Sequence, residues 1–133
     1  MSHFTSIELT IKDEASLLAA LSELGFEGRV ERHDTPQTLY GYHGDARPEQ
    51  ADVIIRRAHI GRSSNDIGFA RQTDGTWRAI ISEYDARIGY GTAWQQKVAQ
   101  LAGVHAATAE ARRRGYQVSR QAEGTRIRLV LSR

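Results

Sequence analysis

Thr5, Ile7, Leu9 and Ile11 alternate with Ser6, Glu8 and Thr10. A repeat of two places the apolar residues on one side of an extended chain, so a first strand is expected over about residues 3–11, with His3 tied by a hydrogen bond to a neighbouring strand. The period then lengthens. Leu17, Leu21 and Leu24 recur at i, i+4 and i+7. Asp13 ahead of them can accept the free amide hydrogens of a first helical turn, and Gly25 behind them suits the left-handed residue past a helix end. This predicts a helix over 13–24. From Phe26 to Tyr84 the apolar clusters are short and rich in β-branched and aromatic residues: Leu39–Tyr42, Val53–Ile55, Ile67–Phe69 and Trp77–Ile81. They read as three to five strands. Thr73-Asp74-Gly75-Thr76 marks a tight hairpin between residues 67–71 and 77–84, with positive φ at Asp74 and Gly75. Residues 56–65 mix Arg, Gly and Ser without period and read as an exposed loop.

A second helix is expected over about 92–114. Thr92 and Gln95 have the spacing of a capping box, and Trp94, Val98, Leu101, His105 and Thr108 or Ala109 form its apolar stripe. At its end Arg112, Arg113 and Arg114 meet the negative pole of the helix, and Gly115 supplies the cap. Gly103 inside it costs about 1 kcal/mol against Ala unless close packing requires it. Tyr116–Gln121 and Arg126–Leu131 then form a hairpin. Pairing Ile127, Leu129 and Leu131 with Arg120, Val118 and Tyr116 across a four-residue turn gathers its apolar side. The order β-α-β(3 to 5)-α-β-β does not alternate strand and helix regularly. The expected class is α+β: one domain of residues 1–133, with a single mostly antiparallel sheet and two helices packed on one face.

Composition narrows the chemistry. A 133-residue chain buries about two-thirds of its unfolded surface and can hold a core without metal or disulfide. Having no cysteine, it cannot use a thiolate nucleophile, a Cys-ligated zinc or an iron–sulfur cluster. The opening Met1-Ser2-His3-Phe4-Thr5-Ser6 lacks a basic region followed by an apolar run, and no apolar stretch reaches spanning length. A cytoplasmic protein without membrane contact is therefore expected. The net charge of +2 hides a polarity. Residues 1–55 carry ten acids and four bases, whereas the rest carry 14 bases and 6 acids.

Several blocks in this chain resemble a known family. The opening Met1-Ser2-His3-Phe4-Thr5 with Ala20-Leu21-Ser22-Glu23-Leu24-Gly25-Phe26, then Ala51-Asp52-Val53-Ile54-Ile55, Asp66-Ile67-Gly68-Phe69, Gly75-Thr76-Trp77 and the closing Gly115-Tyr116, Gly124 and Ile127-Arg128-Leu129-Val130 occur in the order of the conserved hypothetical chloroplast open reading frame thirty-five family of plastids, cyanobacteria and other bacteria. The chain departs from it in a longer stretch at 56–65, and in Gln100-Leu101-Ala102-Gly103-Val104-His105, where the family tends to place Arg and Tyr after Gln. The resemblance implies a domain of unknown biochemical function, with no catalytic residue to carry over. It also implies company, because relatives are often encoded beside AAA-type ATPases and small companion proteins, sometimes a ferredoxin. An accessory or adaptor role is the expectation, by association alone.

The residues offer few alternatives. No phosphate-binding P-loop, dinucleotide fingerprint, nucleophile elbow or His-Glu-x-x-His helix is present. His43-Gly44-Asp45 supplies two metal ligands at best, so no metal or other cofactor is expected. Asp52 and Asp66 precede strand cores and would serve acid–base chemistry only if they met and one were desolvated, while His105 on the inner helix stripe reads as a satisfied core histidine before a general base. A small enzyme using a pocket near Asp52, Asp66 or His105 therefore stays open as an alternative. Arg87, Gly89, Gly91 and Thr92 form a weak anion-binding candidate at a helix start. The sharper set is Arg112, Arg113, Arg114, Arg120, Arg126 and Arg128, which the helix end and final hairpin could present to an acidic protein partner, an AAA-type ATPase or small companion being the candidates. RNA or DNA is a lesser alternative, since the net charge is small and no strand carries stacking aromatics.

Overall fold

The computed structural model describes residues 4–9, 11 and 13–133. Strands β1 (Phe4–Leu9), β2 (Glu31–Tyr40), β3 (Ala46–Ile55), β4 (Ile67–Arg71) and β5 (Trp77–Ser82) form one antiparallel sheet in the order β1-β5-β4-β3-β2. β2 to β5 are a meander of neighbours, and β1 adds outside β5 with Phe4 opposite Ser82 and Leu9 opposite Trp77. Ile11, which the alternation includes, lies outside β1, and His3 lies outside the described residues. β2 and β3 are each ten residues long, far beyond the apolar clusters Leu39–Tyr42 and Val53–Ile55. Backbone pairing extends them through polar, largely exposed positions that no hydrophobic period marks. Pro36 is accommodated where the β2–β3 register shifts between Arg32 and Gln37, as a residue without an N–H must be.

The β4–β5 hairpin forms where the turn residues place it. Gln72 N donates to Thr76 O at 2.8 Å, and Gly75 N to Gln72 O at 3.0 Å. Of the expected pair only Gly75 takes a positive φ, +88°. Asp74 contributes through its side chain instead, its Oδ1 accepting from Thr76 N at 2.9 Å and Thr76 Oγ1 at 2.6 Å.

Helix α1 (Glu14–Leu21) is capped by Asp13, which accepts from Ser16 N at 2.7 Å and Ser16 Oγ at 2.6 Å. A wider turn over Ser22–Phe26 completes it, with Gly25 at φ +101°. After the single turn α2 (Glu83–Asp85) and the loop Ala86–Tyr90 comes α3, Thr92–Arg113. Its N-cap is Gly91 rather than Thr92, and the capping box does not form. Gly91 suits this place because a Cβ would lie 2.8 Å from Ala86 O. Gln95 Nε2 instead turns back to Tyr90 O at 3.2 Å. The end of α3 is as expected: Gly115, at φ +87°, donates to Arg112 O, and Tyr116 N reaches back to Ala111 O, both at 3.0 Å.

Both long helices pack on one face of the five-stranded sheet. Leu17, Ala20 and Leu21 of α1 and Val98, Leu101 and Ala102 of α3 meet Val53, Ile55, Ile67, Phe69, Trp77, Ala79 and Ile81. The buried stripe of α3 is Gln95, Val98, Leu101, Ala102, Val104 and Ala111, rotated from the expected one. Trp94 sits at the margin, edge-on to Tyr90 at 5.0 Å and to Phe26 at 6.3 Å. The opposite sheet face is closed by the chain itself. The register shifts bend the outer half of the β2–β3 hairpin over β4, so that Leu39, Ala51, Ile54 and Ile80 form a second small core. Gly68 lies beneath it, where a Cβ would come within 2.6 Å of Ala51 Cβ and 3.0 Å of the Leu39 methyls.

The final hairpin departs from the expected architecture. β6 (Gln117–Glu123) and β7 (Arg126–Ser132) pair only with each other, as a separate two-stranded sheet. The turn has two residues rather than four, since Glu123 pairs with Arg126 and Gly124 takes φ +62°. The register therefore slides by two, placing Ile127 opposite Ala122, Leu129 opposite Arg120 and Leu131 opposite Val118. A slide of two keeps every side chain on its expected face. With one apolar row the hairpin can cover a helix but not extend the main sheet, and Ile127 packs at the margin of the main core.

Candidate functional site

Gly115 reverses the chain, and the hairpin runs back along α3. Its tip is fixed where Gln100 Nε2 donates to Thr125 O at 2.8 Å. From Gln100 to Arg113 the helix rises about 20 Å, close to the length of a seven-residue strand. The hairpin thus lies beside the second half of α3, its base at the helix end and its tip at mid-helix.

This arrangement divides the six arginines. Arg112, Arg113 and Arg114 are exposed at the base, where Arg113 and Arg114 share Glu110 at 2.7 and 2.9 Å. Arg126 and Arg128 lie toward the tip, on the face turned away from the helix, together with Val130. Arg128 is 3.4 Å from Glu123, and its side chain stays 65% exposed. Arg120 is on the other face and reaches Glu23, beyond the end of α1, at 2.6 Å. Arg126 and Arg128 therefore share the outward face of the hairpin, Arg112, Arg113 and Arg114 form a separate group at the end of α3, and Arg120 is a tether between the hairpin and the helical layer. Arg120 also holds the Glu23 carboxyl below its ordinary value through their hydrogen bond, against a smaller upward push from burial, and His105 at 2.8 Å adds in the same direction.

The outer strip mixes charge with apolar area. Val130 on this face is 37% exposed, Leu131 on the other face with Ile127 and Leu129 is 48% exposed, and neither β6 nor β7 has a second strand neighbour among the described residues. Unpaired strand edges beside exposed aliphatic side chains are a surface that another chain can cover.

The other candidates are placed as follows. Arg87 is exposed in the loop before α3, and Gly89 turns that loop at φ +130°. Thr92 is exposed in the first turn of α3, behind the Gly91 cap. Asp52 and Asp66 do not meet. In the β3–β4 pair Ile55 faces Ile67 and Val53 faces Phe69, so the two carboxylates sit at opposite ends, about 13 Å apart along the ladder. Each serves the backbone: Asp52 accepts from Arg71 N at 2.8 Å, and Asp66 from Tyr40 N, Arg57 N and Arg56 Nη1 at 2.8, 2.7 and 2.9 Å. His105 is half-buried on an open groove between α1 and α3, shared with Asp13, Ser16 and Arg112, and its ring is engaged by Glu23.

The stretch 56–65 is not wholly an exposed loop. It contains a 3-10 turn, Arg57–His59, and ends in buried Ser64 and Asn65. Asn65 N donates to Asp85 Oδ2 at 2.9 Å, Asn65 Nδ2 donates to Ser82 Oγ at 2.9 Å, and Ser82 Oγ donates to Asp85 Oδ2 at 2.6 Å. This frame was missed because its residues are polar and dispersed. One signal was available: Ser82-Glu83-Tyr84-Asp85 has capping spacing, and Ser82 does accept from Asp85 N, at 3.1 Å. Among the described residues no cluster of three or more His, Asp and Glu side chains is arranged to hold a metal ion, and no helix is long and apolar enough to cross a membrane.

Residues 20–130 match the profile of a family described as protein of unknown function, DUF1257. No curated protein and no solved structure matches the chain. The match spans the last two residues of α1, the whole β2–β5 meander, α3 and most of the final hairpin. The chain therefore belongs to the DUF1257 family, whose function is unknown.

Proposed function

We propose that this protein acts without catalysis of its own, as an accessory or adaptor protein that docks on an acidic protein partner through the strip formed by the final hairpin and the end of α3. The observation that carries this reading is the hairpin itself. It stands apart from the main sheet, with no further strand neighbour among the described residues, Val130 and Leu131 exposed, and Arg126 and Arg128 turned outward. Aliphatic side chains flanked by guanidinium groups suit a partner that offers an apolar contact rimmed by carboxylates. The resemblance to the chloroplast open reading frame thirty-five family makes an AAA-type ATPase or its small companion the first partner to try.

The test is affinity capture from native lysate followed by mass spectrometry, with the wild-type chain beside Arg126→Glu/Arg128→Glu. One acidic protein held by the wild type and lost by the variant is the expected result. Retention by the variant, or recovery of nucleic acid in place of protein, overturns the reading. The enzyme alternative has less support, because Asp52 and Asp66 are occupied by backbone donors at separate ends of their strands.

A further inference from the structure

The 3-10 turn Arg57–His59 and the loop after it wrap an open recess of about 470 Å³, walled by Arg29 and the run from Arg57 to Arg62. Three guanidinium groups and an imidazole line it, and no carboxylate does. Other arginines of the molecule are neutralised locally. Arg32, Arg56, Arg71, Arg113, Arg114, Arg120 and Arg128 each have a carboxylate within ion-pair distance. Of the acids near the recess, Asp66 and Glu31 are both taken by Arg56, at 2.9 and 3.0 Å.

Arg57 is set in place by groups that leave its charge unneutralised. Its backbone N–H is fixed on Asp66 at 2.7 Å, while its guanidinium donates only to carbonyls: Nε to Ser64 O at 3.2 Å, and Nη2 to Tyr42 O at 2.8 Å and Arg62 O at 3.2 Å. The side chains of Arg29, His59 and Arg62 have no hydrogen bond or ion pair among the described residues. One guanidinium is thus rigidly placed, and those of Arg29 and Arg62, with the His59 ring, are free to close on a ligand.

We propose that this recess binds a small phosphate monoester, Arg29, Arg57 and Arg62 taking the phosphate oxygens while Ala58 and Ile60 lie against the organic part. Guanidinium forks match phosphate oxygens two at a time, and a doubly charged group needs several such donors at once. The volume is within the range of small-ligand sites. A nucleic-acid strand fits less well, since no Phe, Tyr or Trp lines the recess to stack a base. The site lies on the β2–β4 side of the molecule, so it stands independently of docking by the hairpin.

The experiment is calorimetric titration of the full chain in a low-salt, phosphate-free buffer with glucose 6-phosphate, adenosine monophosphate, inorganic phosphate and a single-stranded oligonucleotide. Saturable binding of a monoester, tighter than inorganic phosphate, is expected, with amide shifts in NMR spectra confined to Arg29 and residues 57–62. Arg29→Gln/Arg62→Gln should weaken it at least about tenfold, or about 1.4 kcal/mol. The unfolding midpoint without ligand should not move, because neither side chain holds the fold. Four results overturn the proposal: no saturation by either monoester up to about 10 mM, a range that covers even weak sites; inorganic phosphate binding as tightly as the monoesters; an equal loss in Arg126→Gln/Arg128→Gln, which would reveal general attraction; or dependence on Arg29 and Arg62 for the oligonucleotide alone.

Discussion

Replacing Asp66 with alanine tests the idea that one buried carboxylate organises the corner where β2, β3 and β4 meet. Asp66 is 1% exposed and accepts from three donors. The variant leaves the backbone N–H groups of Tyr40 and Arg57 without an acceptor, at about 1–2 kcal/mol each. Arg56 loses one partner and keeps two, Glu31 and Thr38 O, both at 3.0 Å, which adds about 1 kcal/mol. The sum is about 4 kcal/mol, a large share of a typical domain's 5–15 kcal/mol and about 12–16 °C in midpoint for a chain of this size. Urea unfolding followed by tryptophan fluorescence reads it directly, since Trp77 is 1% exposed and Trp94 packs, partly buried, at the margin of the same core. Asp52→Ala is the internal standard: it strands a single backbone donor, Arg71 N, and should cost only about 1–2 kcal/mol. If the two variants lose equal stability with unchanged denaturant slopes, Asp66 is not the organiser described here. Asp66→Asn should recover only part of the loss, because one amide oxygen cannot serve three donors.

Gly68→Ala should destabilise by about 1–3 kcal/mol, as overpacking against Ala51 and Leu39 does, and Ala51→Gly in the same chain should restore part of it; no rescue in thermal melts would locate the crowding elsewhere. Gly103→Ala should raise stability by up to about 1 kcal/mol, because its Cβ would meet open space in mid-helix, and a lower midpoint in calorimetry would contradict this. The Arg120–Glu23 tether should respond to acid. The Glu23 carboxyl is held below its reference value of 4.5, so its contribution is fully present above that value and is lost as pH falls through the lower folded one. Hydrogen exchange of amides 117–132 should then quicken relative to the core, and Glu23→Gln should show the faster exchange already at neutral pH.

The parts of this fold legible in the sequence were those fixed by local stereochemistry. Asp13, Gly25, Gly75 and Gly115 each mark a cap or turn whose backbone geometry the side chain, or its absence, selects. The length of β2 and β3 was not legible, because polar residues such as Gln37 and Gln50 are held there by partners on the adjacent strand rather than by burial. The separate hairpin was hidden for a similar reason. Its alternation gives the right faces for Ile127 and Leu129 but does not say which surface they cover. The six arginines were visible as a set, yet their division depends on Glu23 drawing Arg120 inward across 97 residues of chain. Arg29 and Arg62 likewise share one recess only because β2 and β3 fold the intervening segment out and back.

The strand order also bears on how the chain reaches this state. Neighbours β2 to β5 can zip as successive short hairpins, whereas β1 must await a partner at the far side of the meander, Phe4 meeting Ser82. Closing so long a loop is entropically slow. Refolding should therefore show early amide protection at residues 67–71 and 77–82, with the outer rim of β5 the last part of the sheet to be sealed.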